Sequence, residues 1–410
     1  MNYRASTARL GLLTSLYVAQ GLPFGFFTQA LPVLLRKHGL SLGAIGLSSL
    51  LAIPWALKFL WAPLVDRYSV RRFGRRRTWI LPMQLLTILV LLFTSLREPT
   101  ESFRWVLVAV LVVNFLSATQ DIATDGLAVD MLEVHERGLA NGIQVAGYRA
   151  GMIVGGGALL IFFERIGWTW TFVTMAGLVA ATSIPIFLSR QERKNVSDEV
   201  ARRAHAISFF RRPYAVRVLI LLAIYKFGDA FAVGMLRPFL ADLGLSIGDV
   251  GWLIGTVGFV AGLLGALAGG AMVTRIGRKR SLVTFAILQA ATVFGYAYVA
   301  KGHAGNAMLY GLCAGEHFAG GMATAALFTC MMDWTEPRTS ATDYTIQASA
   351  VVIATGAAAS LSGFSAQRLG YGTHFLLASG LALSVPPLVA VLFPRNAGPG
   401  GRPMEVHPCA

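Results

Sequence analysis

The chain has 410 residues, 55% of them hydrophobic and only 13% charged, with 44 glycines and a positive mean hydropathy. Soluble domains carry about 25% charged residues, so this composition excludes an ordinary soluble enzyme. The formal charge of +15 raises nucleic acid as a partner, but its distribution along the chain excludes that reading.

Twelve apolar segments follow one another, at roughly 11–35, 44–65, 78–96, 105–130, 141–163, 169–189, 216–241, 248–272, 281–300, 307–332, 345–366 and 373–393. A helix crosses the bilayer's hydrocarbon core in about 20 apolar residues, and 78–96 and 169–189 contain no charge at all. The expected fold class is therefore an all-α membrane protein with twelve transmembrane helices. Residues 1–35 are too long an apolar stretch for a signal peptide and read as an uncleaved first helix. With the N-terminus inside, the inner segments hold 23 Lys and Arg against seven in the outer loops, the asymmetry of the positive-inside rule. Both termini are expected in the cytoplasm, with the basic excess facing anionic lipid. Three cysteines, Cys313, Cys330 and Cys409, have no metal-ligand spacing and imply no disulfide framework.

Two short patterns recur at nearly one offset. "HGLSLGAIG" (38–46) returns as "LGLSIGDVG" (243–251), and Asp130, Glu133 and Gln144 return with identical spacing as Asp333, Glu336 and Gln347. Two homologous six-helix bundles follow, 1–189 and 214–393. A basic cytoplasmic linker, 190–213, joins them, and a disordered tail, 394–410, ends the chain.

Several charges fall inside the apolar segments, where each costs on the order of 3 kcal/mol even on lenient scales. Asp121 and Asp125 are four apart and share one helical face, as do Lys226 and Asp229, three apart. Lys58, Arg149 and Glu316, with His317 beside it, sit at similar mid-membrane depth on the second, fifth and tenth segments. Three cations face four carboxylates, which leaves one carboxylate in excess as a proton carrier. Asp121 can pair with Arg149 and Asp229 with Lys226, so Asp125 and Glu316 are the candidates. The bland alternative is that these are structural ion pairs locking helices together. His317 either relays protons or is a satisfied core histidine. Asp130, with Glu133 and Glu136, reads as a solvated helix end. Tyr17, Gln20, Phe24 and Phe27 on the first segment, Tyr148 on the fifth, Tyr225 and Phe231 on the seventh and His317 and Phe318 on the tenth are candidates to line a substrate cavity. Glycines in "GYRAGMIVGGG" and "GTVGFVAGLLGALAGG" permit close helix approach.

After the second segment, "APLVDRYSVRRFGRRR" (62–77) resembles the loop motif of the major facilitator superfamily. The resemblance implies a gating latch built on Asp66, Arg67, Arg71 and Arg75, with Glu133 and Glu336 in gating loops. The second copy, "GAMVTRIGRKR" (270–280), has Thr274 where the first has Asp66, which predicts a weaker latch there. "LPFGFFTQALPVLL", "PWALKFLWAPLVDRY", "SATQDIATDG", "YKFGDAFA" and "GEHFAGGMATAALFTCMMD" together resemble the branch holding anhydromuropeptide permeases, acetyl-CoA transporters and bacterial siderophore importers. The phrase "YVAQGLPFGFFTQALPVLLR" and the compact length are most similar to the siderophore importers.

The resemblance implies a monomeric secondary transporter of the bacterial inner membrane, importing a siderophore or ferric siderophore with protons by alternating access. A second reading keeps the mechanism and changes the cargo to an anhydromuropeptide or acyl-CoA. A third is a membrane receptor without transport. No catalytic constellation, cofactor motif or metal site is expected, since iron would travel inside the ligand.

Overall fold

The computed structural model describes residues 3–31, 49–70, 73–97, 103–189, 209–302 and 305–394. Arg71, Cys409, the first repeat copy at 38–46, most of the linker and nearly all of the tail lie outside the described residues.

Apolar segments of this length close their backbone hydrogen bonds within themselves, as lipid requires. Helix α1 runs from 3 to 30 and becomes π-helical over Phe26–Ala30. Helix α2 is assembled from short pieces between 49 and 67, followed by α3 at Arg77–Ser95 and α4 at Phe103–Met131. Helix α5 runs from 137 to 166 through a π-helical stretch, Ile153–Ala158, and Gly167, at φ 71°, divides it from α6 at 168–188. Helix α7 comprises Ala215–Tyr225, Phe227–Val233 and Leu236–Asp242. Helix α8 runs from 247 to 276, α9 is Arg278–Val299 and α10 Asn306–Asp333. Gly370, at φ 74°, divides α11, from 340 to 369, from α12, from 371 to 392. Twelve helical spans thus occur among the described residues, the number expected from hydropathy.

The chain forms two compact units. The first comprises 1–132, 147–206 and 338–346; the second comprises 133–146, 207–337 and 347–410. The division departs from a cut at the linker in one respect: the first turns of α5 and α11 have changed sides. The start of α11 belongs to the N-terminal unit and the start of α5 to the C-terminal unit.

In the first unit, Phe26, Val110, Trp168, Phe172 and Met175 form a core between α1, α4 and α6. Helices α1 and α5 touch backbone to backbone: a Cβ added at Gly155 would lie 1.9 Å from the Leu22 carbonyl oxygen. In the second unit, Phe239, Leu253, Tyr296 and Phe375 form the core. There α8 meets α10 just as closely, since a Cβ on Gly265 would lie 2.0 Å from the Phe318 carbonyl oxygen.

Candidate functional site

The mid-membrane charges resolve into one buried cluster in the first unit and two separate pairs in the second. In the first, Asp121 and Asp125 face inward from α4, four residues apart and hence one turn apart on the same face. Lys58 on α2 is buried and pairs with Asp121. The Tyr17 hydroxyl, on α1, donates to Asp125 Oδ1 at 2.9 Å. The partner the structure gives Asp121 is thus Lys58, where the sequence suggested Arg149, which lies half-buried on α5.

Beside these charges stands an aromatic ledge. Phe24 packs against Trp55 at 5.4 Å, Tyr148 at 5.7 Å and Phe27 at 6.0 Å between ring centroids. Lys58 Nζ lies 5.6 Å from the Trp55 ring centre, and Trp55 donates its indole N–H to Asn114 Oδ1 at 3.2 Å. Tyr17, Gln20, Phe24 and Phe27 form one stripe along α1, so charge, amide and aromatic groups follow each other on a single face. Gln20 is buried, and neither atom of its amide has a hydrogen-bond partner among the described residues; the same holds for Gln120 Nε2 and Thr124 Oγ1 on α4. An unsatisfied buried polar group costs about 1–3 kcal/mol, so a ligand or water that completes these groups gains binding energy.

The second unit holds its charges as two pairs. Lys226 pairs with Asp229 within α7, as its spacing suggested. On α10, His317 Nδ1 lies 2.6 Å from Glu316 Oε2 and 3.0 Å from the Cys313 carbonyl oxygen. The His317 ring also packs against Gly258 of α8, where an added Cβ would lie 2.7 Å from it. Gln289 Nε2 and Glu316 Oε1 would each lie 3.7 Å from a Cβ on Gly320, so amide and carboxylate occupy the same neighbourhood.

Not all predicted lining residues fit that role. Tyr225 donates its hydroxyl to the Leu282 carbonyl at 3.1 Å, and Phe231 packs on His374 at 4.6 Å, so both are core groups. Phe318 is exposed.

The Arg-rich loop after α2 builds a further cluster in the first unit. Asp66, wholly buried, accepts from Arg75 Nη2 and Arg76 Nη1, both at 2.8 Å, through Oδ1. Its Oδ2 accepts the Thr342 backbone N–H at 2.7 Å and hydroxyl at 2.6 Å, in the first turn of α11. Arg76 reaches further, donating Nε to Asp130 Oδ2 at 2.9 Å and Nη2 to Ser340 Oγ at 2.5 Å. Burial alone would lower the Arg76 pKa, but Asp130 and Asp66 outweigh burial and raise it, so the side chain stays a cation. Asp130 is exposed at the end of α4, as expected, and there Arg76 and the Ser340 hydroxyl, at 2.6 Å, also hold its two oxygens. Arg67 lies outside the cluster, over the Tyr68 ring.

The second unit repeats the arrangement with an arginine on the arriving helix. Asp333, at the end of α10, accepts from Arg278 Nε at 2.8 Å and from Arg137 Nη1, in the first turn of α5, at 2.9 Å. Glu336 pairs with Arg212 at 3.0 Å, whereas Glu133 is mostly exposed beside His135. Sequence reasoning missed Arg76, Arg137, Arg278, Ser340 and Thr342. The signal was present: Arg137 and Ser340 stand at the same offset of 203 that relates Asp130 to Asp333.

Comparison with known proteins agrees with this architecture. Residues 9–166 match the family described as "Acetyl-coenzyme A transporter 1", and residues 218–407 match "Major Facilitator Superfamily". The chain is 33% identical over 397 residues to the anhydromuropeptide permease of Escherichia coli K12, covering 95% of this chain and 80% of that one. It is 31% identical to an uncharacterized protein of Haemophilus influenzae, covering 91% of each. Among solved structures, the human organic anion transporter MFSD10 (TETRAN) superposes with a TM-score of 0.72 at 14% identity, over 94% of this chain and 99% of that one. FucP in its outward conformation gives 0.72 at 12% identity, over 95% and 99%.

Proposed function

The chain belongs to the major facilitator superfamily, in the branch that holds the anhydromuropeptide permease, and we propose that it imports anhydromuropeptides across the bacterial inner membrane by proton-coupled alternating access. The observation that carries this reading is the 33% identity to the Escherichia coli permease along nearly the whole chain. Siderophore cargo, which the sequence suggested first, has no support among these relatives and is set aside.

The first unit's site suits such a cargo. A muropeptide presents sugar faces, amides and carboxylates. The Phe24 ledge offers flat apolar surface for a sugar face, the unpartnered Gln20 amide offers a donor and an acceptor for a peptide or acetamido group, and Lys58 offers a cation. Proton coupling is our reading of the paired buried carboxylates in that cluster. Asp121 pairs with Lys58, whereas Asp125, one turn away, accepts from the Tyr17 hydroxyl, which makes Asp125 the candidate to take up and release a proton. The uneven distribution of basic residues among the loops supports a cytoplasmic location for both termini.

The test is uptake of labelled anhydromuropeptide into proteoliposomes, with and without an inward proton gradient, beside a panel of ferric siderophores. Gradient-dependent muropeptide accumulation is the expected result. Siderophore accumulation without muropeptide uptake would overturn the assignment of cargo.

A further inference from the structure

A groove of about 320 Å³ runs between α3 and α4 in the first unit, away from the charged cluster. One wall is a stripe of Leu86, Leu89 and Phe93 on α3; the other is Trp105, Val108 and Val112 on α4. All six are exposed, and each set repeats at helical spacing, so each wall is one continuous face. Arg97 lines the end of the groove remote from Arg77, and its guanidinium lies 5.7 Å from the Phe93 ring centre. That ring holds the cation at the mouth, and Arg97 has no carboxylate partner among the described residues.

The dimensions select the occupant. From Leu86 to Arg97 is eleven residues, about 16 Å along a helix. Half of a hydrocarbon core of about 30 Å is about 15 Å. The groove is therefore one leaflet deep, apolar along its length, with Arg97 as the one cation among its lining residues and a tryptophan in the same lining, where amphipathic rings favour the interface. We infer that the α3–α4 groove is a specific site for one anionic phospholipid of the leaflet opposite the Arg-rich loops, its acyl chain between the two walls and its phosphate on Arg97.

A second copy of this chain is the competing occupant, but a helix laid along the groove would set its own backbone against Arg97 without an anion to match it. Glu98 and Glu101 follow Arg97 in the sequence, so the test includes a variant that removes their charge.

The test uses the full-length protein in lipid nanodiscs of equal phosphatidylglycerol and phosphatidylcholine, released into native mass spectrometry. The parent is expected to retain one phosphatidylglycerol, favoured over phosphatidylcholine by about fivefold, the worth of one Arg near a charged surface. Arg97→Gln should keep a bound lipid and lose the headgroup preference. Leu89→Trp, which fills the groove, should lose the lipid altogether, with Val108→Trp as its counterpart from the other wall. Glu98→Gln with Glu101→Gln should preserve or strengthen the preference. Thermal unfolding confirms that each variant is folded. Equal retention of both lipids by the parent, an undiminished preference in Arg97→Gln, or a dimer broken by Leu89→Trp would each overturn the inference.

Discussion

Replacing Asp66 by Asn tests whether the cluster after α2 is a latch or merely a basic loop that sets topology. Asp66 is wholly buried, with two guanidinium donors on Oδ1 and two Thr342 donors on Oδ2. All four neighbours donate, so the Asn amide must turn its own NH2 toward a donor on one side. Removing one partner of a buried ion pair costs about 3–5 kcal/mol. Arg76 keeps Asp130 and Arg75 keeps the Arg338 carbonyl at 2.8 Å, which favours the lower end. A loss of about 3 kcal/mol raises the population with the α11 start released by about 150-fold. Thr342→Ala removes one hydrogen bond to a charged acceptor, about 1.5 kcal/mol or roughly tenfold. The assay is maleimide labelling of Ala341→Cys, a fully buried position, in a background lacking Cys313, Cys330 and Cys409. The expected order of labelling rates is Asp66→Asn, then Thr342→Ala, then parent. Arg67→Ala, which removes a charge outside the cluster, should match the parent. Labelling of Asp66→Asn at the parental rate, or of Arg67→Ala as fast as Asp66→Asn, would refute the latch.

Asp125→Asn should abolish gradient-driven accumulation while leaving exchange of substrate for substrate intact; full accumulation would remove Asp125 as the proton carrier, and Glu316→Gln gives the parallel test in the second unit. Lys58→Met leaves Asp121 buried without its cation and should destabilise the first unit by about 3–5 kcal/mol in thermal unfolding, with recovery when combined with Asp121→Leu, because a matched apolar pair leaves no buried charge. Gly155→Ala should force α1 from α5 and abolish both folding yield and transport, since its Cβ would overlap the Leu22 carbonyl at 1.9 Å; a normally folded variant would show that the two helices are free to separate.

The helices and the membrane were legible because lipid admits few solutions: an apolar run of sufficient length has to be helical. The Lys226–Asp229 pair was legible for the same local reason, both groups lying on one helix three residues apart. Pairs across helices were not. Lys58 and Arg149 stand at similar depth, and only the rotation of α2 and α5 decides which meets Asp121. Tyr225 and Phe231 have the right types at the right depth, yet their rings turn into the core toward Leu282 and His374. Depth follows from sequence position, whereas azimuth follows from packing.

The repeat carried more than its lengths revealed. Gly74, at φ 92°, and Gly277, at φ 85°, stand 203 positions apart and start α3 and α9 alike, so Arg75 and Arg278 emerge at matching places. The offset also relates Asp130 to Asp333, at the ends of α4 and α10, and Arg137 to Ser340, at the starts of α5 and α11. In the first unit the arriving helix brings hydroxyl and amide donors to two carboxylates. In the second it brings a guanidinium to one. Thr274 in place of Asp66 therefore does not simply weaken the second copy, as its sequence suggested. Arg137 supplies from the arriving helix the charge that makes a lone Asp333 sufficient. Both copies serve the same end, holding the first turn of a helix whose remainder belongs to the other unit.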